Sequence, residues 1–319
     1  MTALTLGFIP LTDCAPLLVA HEKGFFAAEG LDVTLSREAS WATVRDKVGF
    51  GALDAAHMLG PMVVAAALGL AGEAVPLVAP MALNRNGGGI TLSTRLLEQV
   101  AAFGSLKAAL AARAEPATFA VVFPYSIHAY ALRGWLEGQG IAPDVDARIV
   151  VPPPPRTAED LAAGRIDGFC AGAPWNTVAV RLGSGRLLAT TAGLHPGAPD
   201  KVLGLSPGLV ERRPEAVSAL LRALVAAGRW ADDPTNRAEL IALLAGPEAV
   251  GAPPEAIAHA LDHELLFQAG EAGVLTIADG AWILSQMQRW GQAPADLDPA
   301  RLAAIFRPDM LQQALRQPA

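Results

Sequence analysis

Cysteine is almost missing from this chain. Cys14 and Cys170 are the only two in 319 residues. That excludes a disulfide framework, which needs several closely spaced pairs. Both cysteines lie in apolar βα contexts, so buried free thiols are expected rather than a redox pair. Aromatic residues are sparse at 6%, and charged residues make up only 17%. Cations are in deficit, with 24 Lys and Arg against 31 Asp and Glu, a net charge of −7. Direct nucleic-acid binding is thereby disfavoured, because it needs a basic stripe that displaces counterions. A membrane span is missing too. The most apolar stretch, Met58 to Leu83, is interrupted by Pro61, Gly69, Gly72, Glu73, Pro76 and Pro80, so neither half reaches the roughly 20 residues a span requires. GxSxG, HExxH, GxxxxGK[ST] and CxxC are all absent, so no strong enzymatic motif is present. The first β run begins almost at Met1, which leaves no room for a basic, apolar and cleavable leader. The chain is therefore expected to be cytoplasmic.

What is present is an α/β rhythm. Leu4 to Ile9 reads as a strand, Asp13 as the N-cap of an apolar helix broken at Gly24 and Gly30, and Leu31 to Leu35 as a second strand. Such a β-α-β unit presents a loop and a helix N-terminus at the strand's carboxyl edge, where α/β sheets bind ligands and where backbone N–H groups favour anions. Ser40 caps a short helix with Trp41, Val44 and Val48 at helical spacing. Leu53 to Met58 reads as a strand, Met62 to Leu70 as a helix and Val75 to Leu83 as a strand. The run Asn84-Arg85-Asn86-Gly87-Gly88-Gly89 tolerates wide φ/ψ change and is the expected first crossing between lobes. Thr118 to Phe123, Arg148 to Val151 and Ile166 to Ala171 read as strands of a second lobe. His128 to Glu137 reads as a helix, Pro152 to Pro155 as a rigid exit, and Thr157 to Asp160 as a capping box. Pro174 suits a first helical position, and the return crossing is expected between Ala192 and Val202. Beyond Arg213, segments starting near Pro214, Pro234, Pro254 and Ile277 are amphipathic helices expected to pack on the first lobe. The lobes accordingly divide as 1–88 with 202–319, and 89–201. Two cores fit a chain of this length, since domains usually hold roughly 100–200 residues.

Four residues stand out by position. His128, in the first turn of its helix, can offer an imidazole N–H beside free backbone N–H groups, or be a half-buried helix histidine. Lys201 can supply the charge a buried anion requires, or lie on the surface. Trp41 can present its indole N–H to a ligand, or simply fill a core. Gly88 lies where the chain changes lobes, or is an ordinary loop glycine. The six histidines show no convincing metal pattern. His259 and His263 stand at i, i+4, as zinc ligands can, but a solvated helix face explains that spacing as well. No cofactor is expected.

The phrases LGFIPLTDCAPLLVAHEKGFF, ASWATVRDKV, LDAAHMLGPMVVAAALG, GRIDGFCAGAPWN and GRWADDPTNRAEL resemble the nitrate/bicarbonate-binding protein family of ABC transporters, from residue 4 to about residue 245. The resemblance implies an α/β fold of the type 2 periplasmic-binding-protein kind, two lobes with an anion cleft between them and extra C-terminal helices. It carries anion contacts over to Trp41, His128 and Lys201. A fourth contact, a glutamine in the family, falls at Gly88, which has no side chain. Nitrate accepts hydrogen bonds only and suits these donors, whereas bicarbonate also donates and would gain from a carboxylate. No acid replaces Lys201, so nitrate or nitrite is the expected ligand. With no leader apparent, the resemblance further implies a NasS-type cytoplasmic nitrate/nitrite sensor that restrains an RNA-binding ANTAR-domain antiterminator. A transport receptor is the alternative. An enzyme on the same fold is a third reading, although the cysteine-rich iron motif of thiamine-pyrimidine synthases is missing.

Overall fold

In the computed structural model, which describes residues 1–70, 72–262 and 265–316, apolar runs flanked by turn residues become the strands of two sheets. The chain first forms β1 (Thr2–Phe8), β2 (Leu31–Arg37), β3 (Ala55–Leu59) and β4 (Ala82–Arg85). It then forms β5 (Gly88–Ser93), β6 (Ala117–Val121), β7 (Ala147–Val150), β8 (Gly168–Gly172) and β9 (Gly185–Thr190), and returns with β10 (Pro199–Leu205). The first sheet runs β2-β1-β3-β10-β4 and the second β7-β6-β8-β5-β9. Helices between the strands cover the sheets and give the expected two-lobed α/β architecture. No described helix is long and apolar enough to cross a membrane.

Several local expectations needed correction. The strand expected over Val75 to Leu83 shrinks to β4. Upstream of it only single bridges form, Val78 with Leu205 and Ala79 with Phe306, because Pro76 and Pro80 lack the N–H that a ladder requires. The capping box at Thr157 to Asp160 does not form. A 3₁₀ turn over Pro154–Arg156 leads directly into the helix Thr157–Ala162, and the Thr157 hydroxyl donates back to the Pro154 carbonyl. Pro174 is the residue before its helix rather than the first within it.

The crossings also fall slightly off the expected positions. Asn86 and Gly87 turn the chain between sheets with φ of 63° and 85°, and a Cβ on Gly87 would run into Leu265. Gly88, expected to end the first lobe, opens the second sheet. Lys201, expected to end the second lobe, lies inside the first sheet, where β10 pairs antiparallel with β3 and β4.

The C-terminal helices start with Pro214–Asp232, whose buried face includes Val217, Leu220, Leu221 and Leu224 and rests on the helix Ala15–Glu22 of the first lobe. The tail does more than pack there, because it also grips the second lobe. The Tyr130 hydroxyl donates to Gln292 at 2.9 Å, Gln292 donates to the Pro124 carbonyl, and Arg289 pairs with Glu137. Near the crossings, the Arg85 guanidinium donates to the carbonyls of Gly197, Ala272 and Val274 and to both carboxylate oxygens of Asp279.

Candidate functional site

Where the two sheets meet, each of the four residues singled out by sequence finds a place. Ser40 accepts a hydrogen bond from the Thr43 N–H and so starts the helix Trp41–Gly49, a cap that stabilises by about 1 kcal/mol. That start pins Trp41, only 2% exposed, beside β3. Ser126 caps the helix Ile127–Gly138 in the same way, by accepting from Ala129 N–H, and thereby places His128 in its first turn. Gly88 begins β5 opposite Gly172 of β8. Lys201 sits in β10 and is completely buried, as is His128.

Lys201 is not a free cation. Its Nζ donates to Asp13 Oδ2 at 2.8 Å and to Asp200 Oδ2 at 2.5 Å. Neighbouring side chains on a regular strand point to opposite faces. Here the pairing of β10 with β4 shifts register on both sides of Lys201, and such irregularities re-aim side chains, so Asp200 and Lys201 meet. Asp13 Oδ1 accepts from His57 Nε2 at 2.8 Å. On the far side, His128 Nε2 stands 3.6 Å from Asp200 Oδ2, too long for a hydrogen bond. Trp41 completes the group: Lys201 Nζ lies 5.6 Å from its ring centroid, and the His57 ring tilts against it at 5.5 Å.

No acid replaces Lys201, but two carboxylates face it, so the acceptors that bicarbonate would seek are present beside it. Burial alone would push Asp13 up, but the Lys201 charge and the His57 hydrogen bond outweigh it and hold the carboxyl far below the usual range. Burial would likewise lower Lys201. Asp13 and Asp200 more than compensate and keep it charged. His128 behaves oppositely: burial pulls it below its ordinary value and Lys201 adds to that, against weaker support from Asp200 and Asp13. It is neutral at pH 7.

Several buried polar atoms here have no hydrogen-bond partner among the described residues: Trp41 Nε1, His57 Nδ1, both ring nitrogens of His128, and Asp200 Oδ1. Unsatisfied buried groups cost about 1–3 kcal/mol each, so this concentration of them makes the cluster the candidate ligand site. Gly88 lies against the same group. A Cβ on it would stand 2.9 Å from His128 Cδ2 and Nε2 and 2.9 Å from Thr191 Cγ2. A glutamine stem there would require His128 or Thr191 to shift.

Asp13, His57 and Asp200 escaped sequence reading. For Asp13 a signal existed: were it an N-cap, its third following residue, Pro16, would offer no N–H to the carboxylate. It lies instead in the 3₁₀ turn Thr12–Cys14. Elsewhere, Cys14 and Cys170 are buried free thiols, pushed up by burial. His259 Nδ1 stands 3.2 Å from the Thr177 hydroxyl, and His263 lies outside the described residues.

The chain is similar to known proteins over most of its length. It is 37% identical to the nitrate import ATP-binding protein NrtC of Synechocystis sp., over 98% of this chain and 50% of that protein. It is 36% identical to the bicarbonate transport ATP-binding protein CmpC of Synechococcus elongatus, over 91% of this chain and 46% of that one. The chain thus spans about half the length of these relatives. The crystal structure of the periplasmic nitrate-binding protein NrtA from Synechocystis PCC 6803 superposes with a TM-score of 0.93 at 31% identity, covering 99% of this chain and 89% of that one. That likeness fixes the fold as the two-lobed periplasmic-binding-protein type. The NMT1-like family model matches residues 1–245, and with these likenesses the chain belongs to that family.

Proposed function

We propose that this chain binds nitrate or nitrite between its lobes and releases it unchanged, as a receptor and not an enzyme. One observation carries the reading. Trp41 and His128 hold unanswered buried N–H capacity beside a fully buried, charged Lys201, drawn from both lobes at the edge where α/β folds take ligands. A small planar anion rich in acceptors fits that donor set. The relatives named for nitrate and the NrtA likeness support the same ligand. CmpC, named for bicarbonate, makes bicarbonate the competitor, and Asp13 and Asp200 are the acceptors its hydroxyl would seek. Calorimetry with nitrate, nitrite and bicarbonate decides: nitrate or nitrite is expected to bind, and heat from bicarbonate alone would overturn the assignment.

The role we propose is a cytoplasmic sensor that binds an ANTAR-domain antiterminator when empty and lets it go when nitrate closes the lobes. The tail supports this reading, because it packs on the first lobe through the helix Pro214–Asp232 and holds the second at Gln292 and Arg289, so its surface would respond to closure. By linkage, nitrate must then bind less tightly to the complex than to the free sensor. A pull-down of the antiterminator with and without nitrate tests this. A second reading has its own support, in that NrtC and CmpC match this chain over half their length. A ligand-binding unit of an importer would then be found with transporter components, in its ligand-bound form, and would leave the antiterminator uncaptured.

A further inference from the structure

We propose that the anion enters this site together with one proton, taken from solvent and held by the His128–Asp200 pair. The inference rests on the reading of the site as an oxyanion receptor and concerns what else must move when the oxyanion binds. Asp13, Lys201 and Asp200 form a chain in which two carboxylates share one ammonium. All three residues are at most 2% exposed. Two carboxylates against one ammonium leave these three side chains with a formal charge of −1. A monoanion arriving beside them would bring −2 into a place sealed from water, where unpaired charge is most costly. One proton restores the balance.

The geometry names where that proton goes. Among the described residues, the titratable groups facing His128 are Asp200 and Lys201 from β10 and Asp13 from the turn after β1. From β5 and β8, Gly88 and Gly172 lie against the ring. Lys201 is already protonated and Asp13 is held by two donors, Lys201 and His57. His128 and Asp200 remain, 3.6 Å apart and still carrying unpartnered polar atoms, Nδ1 and Nε2 on one and Oδ1 on the other. A proton shared by this pair turns an acceptor into a donor for the anion. At 3.6 Å the two groups stand close enough for one proton to be shared between them. The same ledger selects ligands: a dianion such as sulfate would need a second proton, and no second pair is available among these groups.

The test is calorimetry of the full chain with sodium nitrate in MOPS and in Tris, whose ionisation heats differ, between pH 6.5 and 8.5. The difference in observed heat counts protons. About one proton should be taken up per nitrate at the alkaline end, with affinity falling roughly tenfold per pH unit there. Asp200→Asn should bind nitrate with little proton uptake and a flat pH profile. Nitrate binding by the wild type with no buffer dependence and no pH slope overturns the proton coupling and leaves the receptor reading intact. No nitrate binding at any pH overturns both. Because the wild-type measurement decides the matter, a variant that fails to fold does not obscure the result.

Discussion

The two sheets follow one plan but contribute opposite things to the site. In each, three strands run parallel (β2, β1, β3 and β7, β6, β8), a strand from a crossing segment inserts antiparallel, and another strand closes the edge. At the meeting edge the first sheet and its loops bring charge and ring: Asp13, Trp41, His57, Asp200 and Lys201. The second brings clearance, Gly88 and Gly172, and a single neutral imidazole. A candidate site between lobes can thus be assembled without equal sharing of contacts. One wall can hold a rigid charged group while the other is kept thin enough to approach it.

The sharpest way to break this contrast is to remove the charge from the first wall. Lys201→Ala leaves two buried carboxylates without a cation and should lower stability by about 3–5 kcal/mol. A lost charge-assisted contact to the anion costs about 1.5–3 kcal/mol, so affinity for nitrate should fall by roughly ten- to over a hundredfold. Denaturant unfolding and calorimetry on the same variant measure both, and a stability equal to wild type would show that Lys201 does not neutralise this group.

Thickening the second wall is the next test. Gly88→Gln places its Cβ against His128 and Thr191 and should act as overpacking, costing about 1–3 kcal/mol and blocking nitrate rather than adding a donor. Tighter binding in this variant would mean that the second lobe stands farther off than described.

The smallest effect concerns the imidazole of the second wall. Its folded value lies below the ordinary 6.5, so below that pH the unfolded chain takes a proton that the folded chain refuses. Stability contributed here is present above about pH 6.5 and declines as the pH falls toward the lower folded value. Melting temperatures of wild type and His128→Gln between pH 7.5 and 5.5 should converge on acidification. Parallel curves would remove His128 as the cause.

Much of this architecture was legible from the chain. Ser40 announced the helix that positions Trp41, because a hydroxyl before an apolar periodic run is a local signal. Trp41, Gly88, His128 and Lys201 stand out at crossings and helix starts, which sequence marks, and the structure brings them together. The partners of Lys201 were not legible. Asp13 lies 188 residues from it and 44 from His57, and no periodicity encodes a pairing over such distances. Asp200 is adjacent in sequence, yet alternation along a strand argues against the contact; the irregular ladder beside β4 makes it possible. The tail's hold on the second lobe was hidden for a similar reason, since amphipathic spacing shows that a helix has a buried face but not which neighbour covers it.

Arg85 carries a mechanical consequence. One guanidinium fastens the end of β4, the return segment at Gly197, and the tail at Ala272, Val274 and Asp279. Any swing of the lobes that preserves those bonds must turn about a point close to this side chain, like a gate on its pin. Displacement in such a rotation grows with distance from the axis. The clasp made by Arg289 and Gln292 on the helix Ile127–Gly138 and its entry turn then sits on the moving arm, and a small change of angle at the pin is read there as travel.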